Sequence, residues 1–230
     1  MRTVTFAPGE WYHCYNRGVD KRVVFTREND YRRFQMLLHA ANSADPFVLS
    51  DIGKSGKGLT LESVLERERG NPLVEVGAYA LMPNHYHLLM REIVDGGVTA
   101  FMRKLGTGYT MYFNVKYKRT GVLFSGKFKA RHVSGDRYLR RVVNYIHGNP
   151  AELHESRFKQ GVVANKSQLR SALLEYRFSS FPDYQKLNRL ESQIVNSAAL
   201  RNATDVDLSF EQILRDAKDF ARTLEVRPPE

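Results

Sequence analysis

The chain has 230 residues, 42% of them hydrophobic and 26% charged, enough for one globular domain with a sizeable core and some appendages. No apolar run approaches a membrane span, the first residues lack a secretory stretch, and a single cysteine, Cys14, excludes an internal disulfide or a cysteine-built zinc cluster. The expectation is a cytoplasmic protein with no membrane partner.

Trp11 to Arg17 reads as a first strand, with Cys14 as a small core residue. A turn follows at Gly18 to Arg22, and Asn16-Arg17-Gly18 fits ordinary turn chemistry as well as one wall of a substrate groove. Glu28 to Asn42 predicts a helix, because Tyr31, Phe34, Leu37, Leu38 and Ala41 recur at three- and four-residue steps, with Thr26 or Asn29 as cap. A polar insert spans about 43–71 and holds a short helix near Leu59 to Arg69. Its Gly53-Lys54-Ser55-Gly56-Lys57-Gly58 is not a phosphate loop, since no glycine stands five residues before Gly53.

Two apolar runs, Val74 to Met82 and His85 to Met90, flank Pro83-Asn84 and predict a β-hairpin. Gly96-Gly97 precedes a long helix, about Val98 to Lys118, in which Gly106 and Gly108 mark close packing or a bend. Val122 to Phe124 and Lys127 to Val133 give a strand or hairpin, and Asp136 to about His147 a further helix capped by Ser134 or Asp136. Gly148-Asn149-Pro150 stops it. The aromatic stretch Glu175 to Tyr184 is expected to pack back onto the domain, and an amphipathic helix from about Ser209 to Leu224 ends before Arg227-Pro228-Pro229. The order β-α-β-β-α-β-α predicts an α+β fold, a ferredoxin-like antiparallel sheet with helices packed on one face. A domain over 1–151 with a C-terminal extension over 152–230 follows.

Alternation along the second hairpin strand puts His85 and His87 on one face, close enough to share a divalent metal; a pair of hydrogen-bonding histidines fits the same spacing. Tyr145 and Asn149, four residues apart, sit on one side of a helix end, where a phenol could attack a metal-bound phosphate. Spacing alone favours a partly buried tyrosine and a helix C-terminal cap for them, and a residue before proline is expected outside helical conformation.

The net charge is +10, and its location narrows the partner. Between Phe101 and Tyr145 stand eleven basic residues, Arg103, Lys104, Lys116, Lys118, Arg119, Lys127, Lys129, Arg131, Arg137, Arg140 and Arg141, against Asp136 alone. Seven aromatics are interleaved with them, from Tyr109 to Tyr138. Phosphate contact with base stacking calls for such a segment, and a solvated basic face over an aromatic core would carry the same letters.

Met82-Pro83-Asn84-His85-Tyr86-His87-Leu88-Leu89 and Tyr138-Leu139-Arg140-Arg141-Val142-Val143-Asn144-Tyr145-Ile146-His147-Gly148-Asn149-Pro150 together resemble the single-tyrosine HUH transposases of insertion sequences. The opening Tyr12-His13-Cys14-Tyr15-Asn16-Arg17-Gly18 and the Gly121 to Phe128 stretch are similar to the branch associated with repetitive extragenic palindromes (REP). The resemblance implies the HUH nuclease fold and a transposase that cleaves and rejoins single-stranded DNA next to hairpins through a 5′-phosphotyrosine. In that reading Tyr145 is the nucleophile, with Tyr138 as rival, and His85, His87 and Asn149 hold magnesium or manganese. Asn16, Arg17, Arg103, Lys104, Lys116, Lys118, Arg119, Lys127, Lys129, Arg131, Arg140 and Arg141 are the expected contacts to single-stranded or hairpin DNA, made by a monomer or a homodimer. Three alternatives stand beside it: a domesticated, catalytically silent hairpin-binding protein, a metal-dependent phosphodiesterase that uses water, and an RNA-binding module.

Overall fold

The computed structural model describes residues 4–46, 49, 51, 58–185, 187–204 and 208–225, with side chains up to 217 in the last stretch. Most of the glycine-rich part of the insert and Arg227-Pro228-Pro229 lie outside the described residues. Four strands, β1 (Trp11–Arg17), β2 (Val74–Met82), β3 (His85–Glu92) and β4 (Lys129–Val133), form one antiparallel sheet in the order β2-β3-β1-β4. Helix α1 (Glu28–Ala40) and the short α2 (Leu61–Leu65) join β1 to β2, and α3 (Gly97–Lys116) joins β3 to β4. This is the expected α+β, ferredoxin-like topology. After β4 come α4 (Asp136–Gly148), α5 (Lys166–Glu175), α6 (Phe181–Tyr184), α7 (Ser197–Ala203) and α8 (Phe210–Glu225). Among the described residues no helix is long and apolar enough to cross a membrane.

Side-chain alternation sends two apolar sets to opposite faces of the sheet. Tyr12, Cys14, Tyr79, Leu81, Tyr86, Leu88 and Met90 meet α1 and α3 in the larger core. Trp11, Ala78, Ala80 and Leu89 face the other way, against Leu139, Val142, Val143 and Ile146 of α4. The expectation of helices on one face is corrected here: the second face is also apolar, and α4 covers it. Small Ala78 and Ala80 leave room for that helix to approach the sheet.

A bulge between Val76 and Ala78, with Gly77 at it, switches the alternation of β2, so that Val74 and Val76 share the larger core with Tyr79 and Leu81 while Ala78 and Ala80 turn to α4. A Cβ placed there would lie 2.7 Å from Trp11 Cζ3, so the indole ring fills the space of the missing side chain. Gly77→Ala is expected to cost about 1–3 kcal/mol through overpacking. Urea unfolding followed by the fluorescence of Trp11, the single tryptophan, measures it directly.

The ends of the two large helices are fixed by buried carboxylates rather than by the expected caps. Asp30, not Thr26 or Asn29, accepts the backbone N–H groups of Thr26 and Arg27, each at 2.9 Å, and so starts α1. The same carboxylate accepts Lys116 Nζ at 2.6 Å, the Tyr117 hydroxyl at 2.8 Å and the Tyr112 hydroxyl at 3.1 Å, tying the end of α3 to the start of α1. Burial alone would raise its pKa, but Lys116, the Arg27 amide and Tyr117 together hold it below the usual carboxylate value. Glu92 plays the corresponding part at the start of α3, accepting from Gly96 N at 3.0 Å and Val98 N at 2.9 Å. Gly135, in a positive-φ conformation at 77°, takes the N-cap of α4 where Ser134 or Asp136 was expected. Gly108 is a close approach of α3 to Leu37 of α1; Gly106 faces open space.

The stretch after Glu175 packs back as expected, along the outer edge of β2. Leu81 N donates to Phe178 O and Ser180 N to Tyr79 O, both at 2.9 Å, and Asn196 N donates to Val76 O at 2.8 Å. The Tyr176 hydroxyl donates to Leu81 O at 2.6 Å, and Tyr184 hydroxyl to Gly77 O. A third apolar cluster, including Ala151, Phe158, Leu173, Phe181 and Ile213, joins these later elements to one another.

Candidate active site

Strand register assembles the site. Tyr15 pairs with His87 and Arg17 with His85 across β1 and β3, while His13 pairs with Arg131 and Tyr15 with Lys129 across β1 and β4. Directly paired residues share a face, so His85, His87, His13, Tyr15, Arg17, Lys129 and Arg131 lie on the side of the sheet that α4 covers. Tyr145 comes down from α4 onto this group. Its ring centroid is 5.2 Å from that of His87 and 5.9 Å from that of His13, both edge-on. The two expected ligands are neighbours, His85 and His87 having ring centroids 5.1 Å apart.

Asn149 has φ −55° and ψ −43°, helical despite the following Pro150, which corrects the expectation from the Asn-Pro pair. The chain runs on as a 3₁₀ turn from Asn149 to Leu153 with Pro150 in its first turn, where proline's missing N–H is no loss. Asn149 therefore keeps the helical relation to Tyr145. Its Nδ2 donates to Tyr145 O at 2.7 Å, and its Oδ1 is buried without a hydrogen-bond partner.

Electrostatics follow from enclosure. Burial, then Arg17 and Lys159, hold His85 down to about 4, with Asn149 opposing. Burial, then His13 and His85, hold His87 well below its ordinary value. Both imidazoles are neutral at pH 7 with lone pairs to offer. Tyr145 is pushed up to about 12, by burial first and Glu152 second, while Asn149 and Arg17 favour its phenolate. Lys159 lies 5.5 Å from the centre of the Tyr145 ring and pairs with Glu152 at 2.5 Å. Burial, then Arg131, takes His13 down to about 3, and burial takes His147 down to about 3 behind its 2.9 Å contact with Ser180 Oγ.

These depressed values carry a pH signature. Unfolded histidines take up protons below about 6.5, whereas His13 and His147 stay neutral in the fold down to about 3. The stability they contribute is therefore complete above pH 6.5 and lost as pH falls towards 3, at up to about 1.4 kcal/mol per pH unit for each. A Tm series without divalent metal is expected to be flat from pH 8 to 7 and to fall steeply between 6 and 4.

The donor set suits one cation. Asn84 Oδ1 can only accept, so at 2.6 Å it fixes the proton of His85 on Nδ1 and leaves Nε2 bare. His87 Nδ1 meets His13 Nε2 at 2.9 Å, so Nε2 is the nitrogen of His87 that faces a ligand when the shared hydrogen lies on His87 Nδ1. Asn149 Oδ1 supplies the unsatisfied oxygen. Two imidazole nitrogens and an amide oxygen could serve one divalent cation, with positions left open for further oxygens. Among the described residues no three His, Cys, Asp or Glu side chains converge on such a point, so a third protein ligand would be the amide.

The basic segment is divided between the two sides of the sheet. Arg17, Lys129 and Arg131 share the face of the histidines, and Arg140 and Arg141 lie on α4. Arg103 and Lys127, with Asn16, line a separate groove of about 660 Å³ between α3 and the 122–128 loop, on the opposite face. Lys118 is exposed beyond α3, in a left-handed conformation with φ 50°. Four of the expected DNA contacts have internal partners. Asn16 is buried and donates to Gly126 O at 3.2 Å, Lys104 donates to Ser43 O at 2.6 Å, Lys116 is held by Asp30, and Arg119 donates to Asn114 Oδ1 at 3.1 Å. Sequence reasoning gave no role to His13, Tyr15 or Lys159. The alternation of β1 would have found the first two once its pairing with β3 was known; no sequence signal marks Lys159.

Tyr138 stands two turns before Tyr145, packed at the margin of the α4 core. A comparison with curated proteins finds no match. Among solved structures, one described as a REP-associated tyrosine transposase bound to a REP hairpin is similar over 83% of this chain and 89% of that chain, with 17% identity and a TM-score of 0.48. Residues 58–149 match the family model described as "Transposase IS200 like", and that stretch holds His85, His87, Tyr145 and Asn149. The resemblance read from the motifs is thus borne out where the site residues lie: over 58–149 the chain is similar to the IS200-like transposases.

Proposed function

We propose that the protein is a single-stranded DNA transposase that cleaves and rejoins strands beside hairpins through a 5′-phosphotyrosine on Tyr145. The observation that carries this reading is the meeting of Tyr145 with His87 at 5.2 Å, beside a buried amide oxygen without a partner. The match of that same stretch to IS200-like transposases supports it.

His85, His87 and Asn149 would hold magnesium or manganese, which when bound polarises the scissile phosphate and offsets its negative charge. The rest falls to the chain itself. Tyr145 is protonated at neutral pH, so attack requires loss of the phenol proton, favoured by Arg17. The Tyr145 oxygen then bonds to phosphorus, the bond from phosphorus to the 3′ oxygen breaks, and that oxygen leaves as a hydroxyl, taking up from water one proton for the one the phenol gave to water. The Tyr145–phosphate bond conserves the energy of the broken one, so a later 3′ hydroxyl can displace the tyrosine and rejoin the strand. Arg17, Lys129 and Arg131 give the same face a positive field for the phosphate backbone.

Incubation of the protein with end-labelled single-stranded hairpin DNA and Mn²⁺, followed by a denaturing gel, tests the reading. A slow-migrating covalent adduct is expected, and peptide mapping should locate it on Tyr145. Cleavage without an adduct would turn the reading to a phosphodiesterase that uses water.

A further inference from the structure

The metal-facing nitrogens of the two histidines are set by two different partners. Asn84 fixes His85 one way only, because an amide oxygen cannot donate. His13 is another matter. Its Nε2 lies 2.9 Å from His87 Nδ1, and either ring can own the shared hydrogen. If His13 owns it, the remaining proton of neutral His87 sits on Nε2 and blocks a ligand there. If His87 owns it, Nε2 is bare. His13 is 1% exposed, its Nδ1 has no hydrogen-bond partner, and its position on β1 is locked by pairing to both β3 and β4.

Resting on the metal reading above, we propose that His13 is a positioning residue for the cation: it accepts the Nδ1–H of His87 and thereby presents His87 Nε2 to the metal. Both rings stay neutral, and each changes only which nitrogen bears its proton; His13 then carries its own on the unpartnered Nδ1, a cost that the cation's bond to His87 has to outweigh. A merely structural histidine at this place would fill space between Tyr15 and Tyr145, as its ring contacts of 5.0 and 5.9 Å also allow. The two roles differ in what an apolar replacement does to metal affinity, since partners one step behind a ligating histidine typically carry 10- to 100-fold in binding.

Binding of Mn²⁺ to the full chain, followed by electron paramagnetic resonance, separates them. His13→Leu is expected to weaken Mn²⁺ binding 10- to 100-fold, whereas His13→Gln, whose amide can still accept the hydrogen, stays within about threefold of the parent. Adduct formation by His13→Leu should be slow at limiting Mn²⁺ and recover at excess metal, a loss in metal requirement rather than in maximal rate. Long-range ¹⁵N spectra of the unaltered chain with saturating Mg²⁺ should show His87 protonated on Nδ1 and bare on Nε2, a readout that stands even if His13→Leu does not fold. Mn²⁺ affinity unchanged in a folded His13→Leu, or Nε2–H retained on His87 with Mg²⁺, overturns the proposal and leaves the transposase reading intact. A parent chain that binds no Mn²⁺ removes the metal site and this role of His13 together.

Discussion

Tyr145→Phe is expected to abolish the covalent DNA adduct, by at least about a thousandfold, while hairpin binding changes less than twofold. In the proposed reaction the nucleophile is the phenol oxygen of Tyr145, which this variant lacks. The ring itself is retained, so its edge contacts with His87 and His13 survive and the fold should not move. Tyr138→Phe is the matched control: Tyr138 packs at the margin of the α4 core, and its variant should form adduct at the parent rate. The comparison reads out on one denaturing gel, with binding measured by fluorescence anisotropy on the same DNA. Adduct persisting in Tyr145→Phe and vanishing in Tyr138→Phe would reassign the nucleophile.

The second large effect concerns the scaffold. Asp30→Ala should lower stability by about 2–3 kcal/mol, because it removes the cap of α1 and leaves partly buried donors without their acceptor. Five donors converge on this carboxylate, from the backbone of Thr26 and Arg27 and the side chains of Lys116, Tyr112 and Tyr117. Removal frees the start of α1 and the end of α3 together. Urea denaturation at pH 7 gives the number, and Asp30→Asn, which keeps an acceptor oxygen, should lose less. A cost under 1 kcal/mol would mean that the phenols and Lys116 find water instead. Lys116→Ala should then behave as a stability variant, with little change in the salt dependence of DNA binding.

How far the letters lead differs by element. The hairpin at Pro83-Asn84, the two long helices and the alternation that pairs His85 with His87 all follow from local periodicity, and the structure agrees within a few residues. Asn149 was misread because the rule against helical residues before proline ignores what comes next, a 3₁₀ turn that begins with that proline. The second face of the sheet was missed for a different reason. Ala78 and Ala80 look like filler in an apolar run, and only the bulge at Gly77 shows that they form the seat of α4. His13 is invisible to spacing because its partner His87 is 74 positions away. The basic segment, read as one surface, is interrupted by the sheet itself, and several of its cations hold the fold together.

The strip of chain from Tyr176 to Asn196 does more than fill space beside β2. By occupying the exposed carbonyls and amides of that border strand, it denies a second molecule the chance to continue the sheet there. A version cut short after Pro150 should accordingly be adhesive, with a nine-residue strand offering its backbone to any neighbour in solution.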